Sequence, residues 1–94
     1  MSSGFCEIKV VDQKGNPQGG VHVYINNPQL EKWIEEWYKA GDRRDRSSSA
    51  EGTTKANGVV RFRIGCEGEF KVFLNRKSYG MYLLDDGTDI TIRM

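Results

Sequence analysis

The sequence predicts a mainly β protein, an antiparallel β-sandwich that carries one inserted α-helix at about residues 28–40. Two observations lead to this prediction. Apolar and polar residues alternate with period two in several short segments separated by turn residues, which is typical of half-buried strands. In one segment the apolar residues recur with helical spacing instead. The chain has 94 residues, the size of one domain, so we expect a single domain over residues 1–94.

The first strand is predicted at residues 6–10, where Cys6, Ile8 and Val10 are apolar and alternate with charged residues. A turn rich in Asp, Gly, Asn and Pro separates it from a second alternating segment. An Asn-Gly turn at 57–58 predicts a hairpin between residues 53–55 and 59–64. Further alternating segments lie at 70–74, 79–84 and 90–94. Short strands in this number favour a sandwich or barrel of antiparallel strands.

Residues 28–40 break the alternation and predict the helix. Their apolar residues form one stripe, which consists of Leu30, Trp33, Ile34, Trp37 and Tyr38. Asn27 is suited to cap the start of this helix and Gly41 to end it. Large aromatic side chains left in water would form an unusual exposed patch, so the stripe either covers a sheet, the commoner arrangement, or binds a partner. The following Arg- and Ser-rich stretch has no apolar period, so residues 28–52 are expected to form a helix-plus-loop insertion.

The turn and strand motifs resemble those of the prealbumin-like, or Ig-like, β-sandwiches. That superfamily includes the carboxypeptidase regulatory-like, Cna-B-like and transthyretin-like modules. A first strand ending at Asp12 is followed by a Gly-x-Pro turn at 15–17 and a second alternating strand. Residues 54–62 match the pattern T-x-x-x-G-x-x-x-F, and residues 68–72 match G-x-Y-x-V with Phe70 at the Tyr position. The resemblance implies a two-sheet fold and a role as a stable module in larger assemblies. The helical insertion departs from it.

The residues needed for catalysis do not occur together. His22 is the only histidine, and no metal-ligand spacing includes it. The hydroxyisourate hydrolases among the transthyretin-like proteins need several His and Arg residues and a Tyr-Arg-Gly-Ser ending, whereas this chain ends in Ile92-Arg93-Met94. We therefore expect a protein that is not an enzyme and uses neither a cofactor nor a metal.

The expected function is that of a protein-binding or structural module. It would contact a protein partner through the inserted helix and the loop, because Trp, Tyr and Arg dominate interface energies. The expected contact residues are Trp37, Tyr38, Arg43, Arg44 and Arg46. An alternative is a small stand-alone inhibitor or regulator of a host enzyme, for example one encoded by a phage. A second copy of the chain is another candidate partner, through edge pairing of the strand at 89–94.

A less favoured alternative is a polyanion-binding module. The net charge is only +1, but outward positions on the predicted strands are basic and could form one positive sheet face. These positions are Lys9, Arg61, Arg63, Lys71 and Arg93. Lys and Arg are also common on solvated strands and protect sheet edges, so nucleic acid is not the expected partner.

Cys6 and Cys66 both lie on the inward side of the alternation. A disulfide between them would close a loop of about 60 residues, contribute roughly 4 kcal/mol and indicate an oxidising compartment. The alternative, which we favour, is two small buried apolar residues in a reducing compartment. We find no signal peptide and no apolar run long enough to span a membrane. We therefore expect a cytoplasmic or virion protein without a membrane partner, or a domain excised from a longer surface protein.

Overall fold

The computed structural model describes residues 4–41, 48–64, 68–84, 87 and 89–94. Within these ranges the chain forms seven strands and one helix. In chain order they are β1 (Gly4–Val11), β2 (His22–Asn26), α1 (Pro28–Lys39), β3 (Ser49–Thr53), β4 (Val59–Ile64), β5 (Gly68–Leu74), β6 (Lys77–Leu84) and β7 (Asp89–Arg93). The prediction of a mainly β protein with one helix between its second and third strands is confirmed.

The strands form two sheets. Sheet A has the order β4-β1-β7, and sheet B has the order β3-β2-β5-β6. β1 and β7 run parallel, so the prediction of a purely antiparallel arrangement is wrong for this pair. The other paired strands are antiparallel. β1 and β7 come from opposite ends of the chain, and only strands joined by a short hairpin are forced to run antiparallel.

One apolar core lies between the two sheets. On β1 the even-numbered residues Cys6, Ile8 and Val10 are fully buried, as the alternation predicted. They belong to one cluster with inward-facing residues of sheet B, among them Val23, Ile25, Val72 and Leu74. The burial of this apolar surface is the main favourable contribution to folding.

The Asn-Gly turn at 57–58 forms, but the hairpin predicted around it does not. The N–H of Lys55 donates to the carbonyl of Val59 at 3.0 Å, so the chain does reverse here. However, β3 pairs with β2 in sheet B, whereas β4 pairs with β1 in sheet A. The turn is therefore a crossing between the sheets. Turn residues specify a reversal of the backbone and not the strand with which each arm pairs.

β3 also begins earlier than predicted. It starts at Ser49, inside the range 28–52 that was predicted as a helix-plus-loop insertion. The Ser-Ala-Glu-Gly stretch has no bulky apolar side chain and no strand propensity. Its strand conformation depends on the pairing with β2, in which Ala50 lies opposite Ile25.

The ends of α1 agree with the prediction. Asn27 is buried, and its side-chain oxygen accepts the N–H of Leu30 at 3.0 Å. Gly41 follows the helix with a φ of +96° and donates its N–H to the carbonyl of Tyr38. Within the described residues no helix has the length and apolarity that crossing a membrane requires.

α1 is only partly covered by the sheets. Its principal packing partner is β5. Of the helix residues Leu30 is buried, and most of the others are exposed.

Thr54 joins two loops through its buried hydroxyl group. Its Oγ1 accepts the N–H of Val21 at 2.9 Å and donates to the carbonyl of Gln18 at 2.7 Å. We expect Thr54→Val to lower the free energy of unfolding by about 2 kcal/mol, because both partners lose their bond while the shape is kept. Urea denaturation measures this loss. Thr53→Val is the matched control, since Thr53 is exposed on β3, and an equal loss in both variants would contradict the assignment.

Candidate functional site

The apolar stripe of α1 is only partly covered by the rest of the protein. Leu30, in the first turn, is 7% exposed, whereas Trp33 is 42% exposed and Tyr38 is 55% exposed. The start of the stripe is therefore covered more completely than its later positions, of which Ile34 and Trp37 are half-buried and Trp33 and Tyr38 are exposed.

The aromatic residues of the stripe lie side by side. The ring centroids of Trp33 and Trp37 are 6.3 Å apart, with an angle of 33° between the ring planes. Charges of both signs flank the stripe, and the Nζ of Lys39 lies 3.7 Å from the carboxylate of Glu35. An aromatic surface bordered by charged side chains has the composition of a protein interface.

Two of the five expected contact residues, Trp37 and Tyr38, lie on this helix. Trp37 is half-buried and Tyr38 is exposed. Arg43, Arg44 and Arg46 lie outside the described residues. Trp33 was part of the predicted stripe but not of the expected contact set, although it is more exposed than Trp37. Helical spacing alone did not show which members of the stripe would be covered.

The basic positions proposed for polyanion binding do not share one face. The strands of Lys9, Arg61, Arg63 and Arg93 belong to sheet A, and Lys71 is on β5 in sheet B. The prediction of a single basic face is therefore wrong. Period-two alternation shows which residues point outward from a strand, but not to which sheet the strand belongs.

Acidic residues also lie among the cations of sheet A. In the strand register Glu7 is opposite Arg61 on one side and Asp89 on the other. The Nε of Arg61 donates to the carboxylate of Glu7 at 3.0 Å. Arg61 is also placed over the ring of Phe5, 5.9 Å from its centroid. The outer face of sheet A is thus one of mixed charge. The side chain of Arg63 lies outside the described residues.

Cys6 is a free thiol in the core, and Cys66 lies outside the described residues. Burial raises the pKa of the Cys6 thiol to about 11. The thiol is therefore protonated at neutral pH, and a protonated thiol is a poor nucleophile. Its place among Ile8, Val10 and Phe62 in the core assigns it a packing role.

β7 lies at one edge of sheet A. The sequence placed a self-pairing strand at residues 89–94, and an edge position is what such pairing requires. At another corner of the molecule the edge strands β3 and β4 pack against each other across the two sheets.

A groove lies on the outer face of sheet B, where sequence analysis assigned no site. We call it the aromatic groove. It has a volume of about 320 Å³ and is lined by His22, Tyr24, Phe73 and Arg76. A smaller hollow of about 290 Å³ adjoins it, lined by His22, Asn75 and Arg76. The groove brings together residues from β2, β5 and the turn before β6.

The turn at Asn75 and Arg76 was not predicted, although it completes the groove. Both residues have positive φ, 49° and 70°. Leu74 pairs with Lys77 across them, which makes a two-residue hairpin. Such turns usually carry Asn-Gly, and the Asn-Arg pair at this position lacks the glycine by which a hairpin turn is normally recognised in a sequence. The gap between the alternating segments at 70–74 and 79–84 could have indicated a turn here.

Within the described part of the chain, no group of three His, Cys, Asp or Glu side chains is placed to hold a metal ion. No protein-family model matches the chain, and neither a curated protein nor a solved structure shows significant similarity to it.

Proposed function

We propose that this chain is a prealbumin-like β-sandwich module with a non-catalytic binding or structural role. It contacts a protein partner through α1 and the Arg- and Ser-rich segment that follows it. The observation that carries the proposal is the exposure of Trp33 and Tyr38, at 42% and 55%, on a helix whose one buried residue is Leu30.

The family assignment is supported by the roles of the motif residues. Thr54, Gly58 and Phe62 stand at the three fixed positions of the T-x-x-x-G-x-x-x-F pattern. Thr54 makes two hydrogen bonds to the loop between β1 and β2, and Phe62 is 4% exposed in the core. Gly58 is in close contact with the backbone of the loop after β1. These roles are structural. The motif therefore supports the proposed fold, and the proposed function depends on the helix and the segment that follows it.

The energetics favour a partner for the aromatic residues. A Trp side chain buries roughly 200 Å², so covering the exposed part of Trp33 removes on the order of 100 Å² of largely apolar area from water. That contributes about 2.5 kcal/mol, which is the size of a hot-spot residue in an interface. The exposed fraction of Tyr38 adds a ring with a hydroxyl group that can donate a hydrogen bond.

Trp33→Ala tests the proposal. A partner is first identified by affinity capture with the wild-type chain, and its affinity is then measured with purified protein by calorimetry. We expect Trp33→Ala to weaken binding by about tenfold or more while the domain stays folded, because Trp33 contacts Trp37 on the same helix and does not belong to the core between the sheets.

Leu83→Ala is the matched control, because Leu83 is 67% exposed and belongs to β6, not to the helix. It should bind with wild-type affinity. If Leu83→Ala weakens binding and Trp33→Ala does not, the interface lies on the edge of sheet B instead. Substitution of Arg43, Arg44 and Arg46 by Glu tests the segment after the helix by the same assay. Unchanged binding would show that this segment does not contact the partner.

A further inference from the structure

The floor of the aromatic groove is an aromatic pair. Tyr24 on β2 and Phe73 on β5 are directly opposite each other in the strand register. Their ring centroids are 5.8 Å apart, with an angle of 55° between the planes. Both are half-buried although they point outward from the sheet. A pair in this arrangement offers one ring face and one ring edge, which suits a flat aromatic ring.

Arg76 supplies a positive charge at the end of this floor. Among the described residues, no hydrogen bond, ion pair or ring contact engages its guanidinium group. The guanidinium is planar and carries five N–H donors whose geometry matches a carboxylate. Arg76 also has a φ of 70°, at a turn position that glycine normally occupies. A charged residue held in a strained backbone conformation beside a groove is a reason to look for a ligand.

The turn that carries Arg76 is fixed to the groove. The side-chain oxygen of Asn75 accepts the N–H of His22 at 3.0 Å, and the N–H of Asn75 donates to the carbonyl of His22 at 2.8 Å. These two bonds hold the turn against the start of β2. The position of the Arg76 backbone relative to the aromatic floor is therefore set before any ligand arrives.

His22 lies at the same end of the groove as Arg76 and faces an acid. Its Nε2 is 3.0 Å from a carboxylate oxygen of Glu51 on β3, and since a carboxylate only accepts, Nε2 donates. Glu51 thus engages the imidazole of His22, and the guanidinium of Arg76 remains the group of the groove lining that can bind a carboxylate. A ligand with one negative group is oriented by this arrangement, with its charge at the end formed by the turn and its uncharged part toward Tyr24 and Phe73.

We propose that the aromatic groove binds a small planar aromatic carboxylate, with the ring on Tyr24 and Phe73 and the carboxylate on Arg76. The volume of about 320 Å³ is at the lower end of ligand pockets and fits a single ring better than a drug-sized molecule. The groove is open to solvent, so a dissociation constant on the order of 1 mM is expected for a ligand of benzoate's size.

Benzoate, titrated into the isotope-labelled full chain and followed by NMR, tests the proposal. The amide signals of Tyr24, Phe73 and Arg76 should shift together along one saturation curve. Benzamide has nearly the same shape without the charge, and cyclohexanecarboxylate has the charge without the aromatic ring. Each should bind about tenfold more weakly or worse. Equal binding of benzoate and cyclohexanecarboxylate, or no saturable shift with benzoate, would overturn the proposal.

Arg76→Gly removes the charge without a risk of unfolding, because glycine suits the positive φ of this turn. We expect the variant to melt at the wild-type temperature or higher and to bind benzoate about tenfold more weakly. Arg93→Gln is the control, since Arg93 is an exposed cation on sheet A, and it should bind benzoate with unchanged affinity. Wild-type affinity in Arg76→Gly, or an equal loss in Arg93→Gln, contradicts the assignment of the carboxylate to Arg76.

Discussion

Gly58→Ala is expected to lower the free energy of unfolding by about 3 kcal/mol. Gly58 has a φ of +78°, where a residue with a Cβ is strained. An alanine Cβ at this position would lie 2.7 Å from the carbonyl oxygen of Val10 and 3.0 Å from the backbone nitrogen of Gln18. Those two atoms are joined by a hydrogen bond of 2.9 Å, so the substitution pushes on a backbone contact that has no flexible side chain to yield.

The expected loss is large for a domain of this size. About 3 kcal/mol corresponds to a decrease of roughly 15 °C in the melting temperature. The total stability of a chain of 94 residues is roughly 5–14 kcal/mol. Thermal and urea denaturation of the purified variant measure the loss directly.

Gly15→Ala separates the two causes. Gly15 has a similar φ, +88°, but nothing lies within 4 Å of the position its Cβ would take. This control should lose only the cost of the positive φ, about 1 kcal/mol. The difference between the two variants then measures the close approach at Gly58. If both variants lose the same free energy of unfolding, the close approach of Gly58 to the carbonyl oxygen of Val10 does not contribute to the cost, and the explanation given for Gly58→Ala is wrong.

Local structural features, such as the faces of a strand and the start of the helix, were predicted correctly from the sequence. The inward and outward faces of β1 follow from the alternation around Ile8, because side chains of a strand alternate with period two. The start of α1 follows from Asn27, whose side chain caps the helix as its type predicts. These features depend on neighbours within a few residues along the chain, so a sequence pattern contains the information for them.

Pairing between distant segments was not predicted. β3, which precedes the turn at Gly58, belongs to sheet B, whereas β4, which follows the turn, belongs to sheet A. The parallel pairing of β1 with β7 brings together strands from the two ends of the chain. Both depend on which surfaces meet in three dimensions. The same limit explains the error in the basic face, since Lys71 shares its outward parity with Arg61 but not its sheet.

The candidate sites divide in the same way. The stripe on α1 was visible from helical spacing, but the exposure of Trp33 depends on how the helix packs against β5. The aromatic groove needs β2 beside β5 and a turn with positive φ at Arg76, and neither could be read from spacing. The two proposals use different residues, so the failure of one leaves the other intact.

Ile8→Ala is expected to lower the free energy of unfolding by about 3–4 kcal/mol. Ile8 is fully buried in the central strand of sheet A, where it is paired with Val60 on one side and Ile90 on the other. Removing three carbon atoms loses their transfer free energy and leaves a cavity between the two sheets, which close packing prevents from collapsing fully. Lys9→Ala is the control, because Lys9 is exposed at the next position and should change stability by less than about 0.5 kcal/mol.

Two spectroscopic signals make this experiment informative about α1. The amide signals of β1 and β5 in NMR spectra report the sheets, whereas tryptophan fluorescence reports the helix, since both tryptophans, Trp33 and Trp37, lie on α1. The buried Leu30 and the Asn27 cap attach the start of the helix to the rest of the domain. We therefore expect Ile8→Ala to move the midpoints of both signals by the same amount. If the fluorescence midpoint stays in place while the sheets unfold earlier, α1 folds as a separate unit. The aromatic residues of α1 would then not be held in a fixed position relative to the sheets.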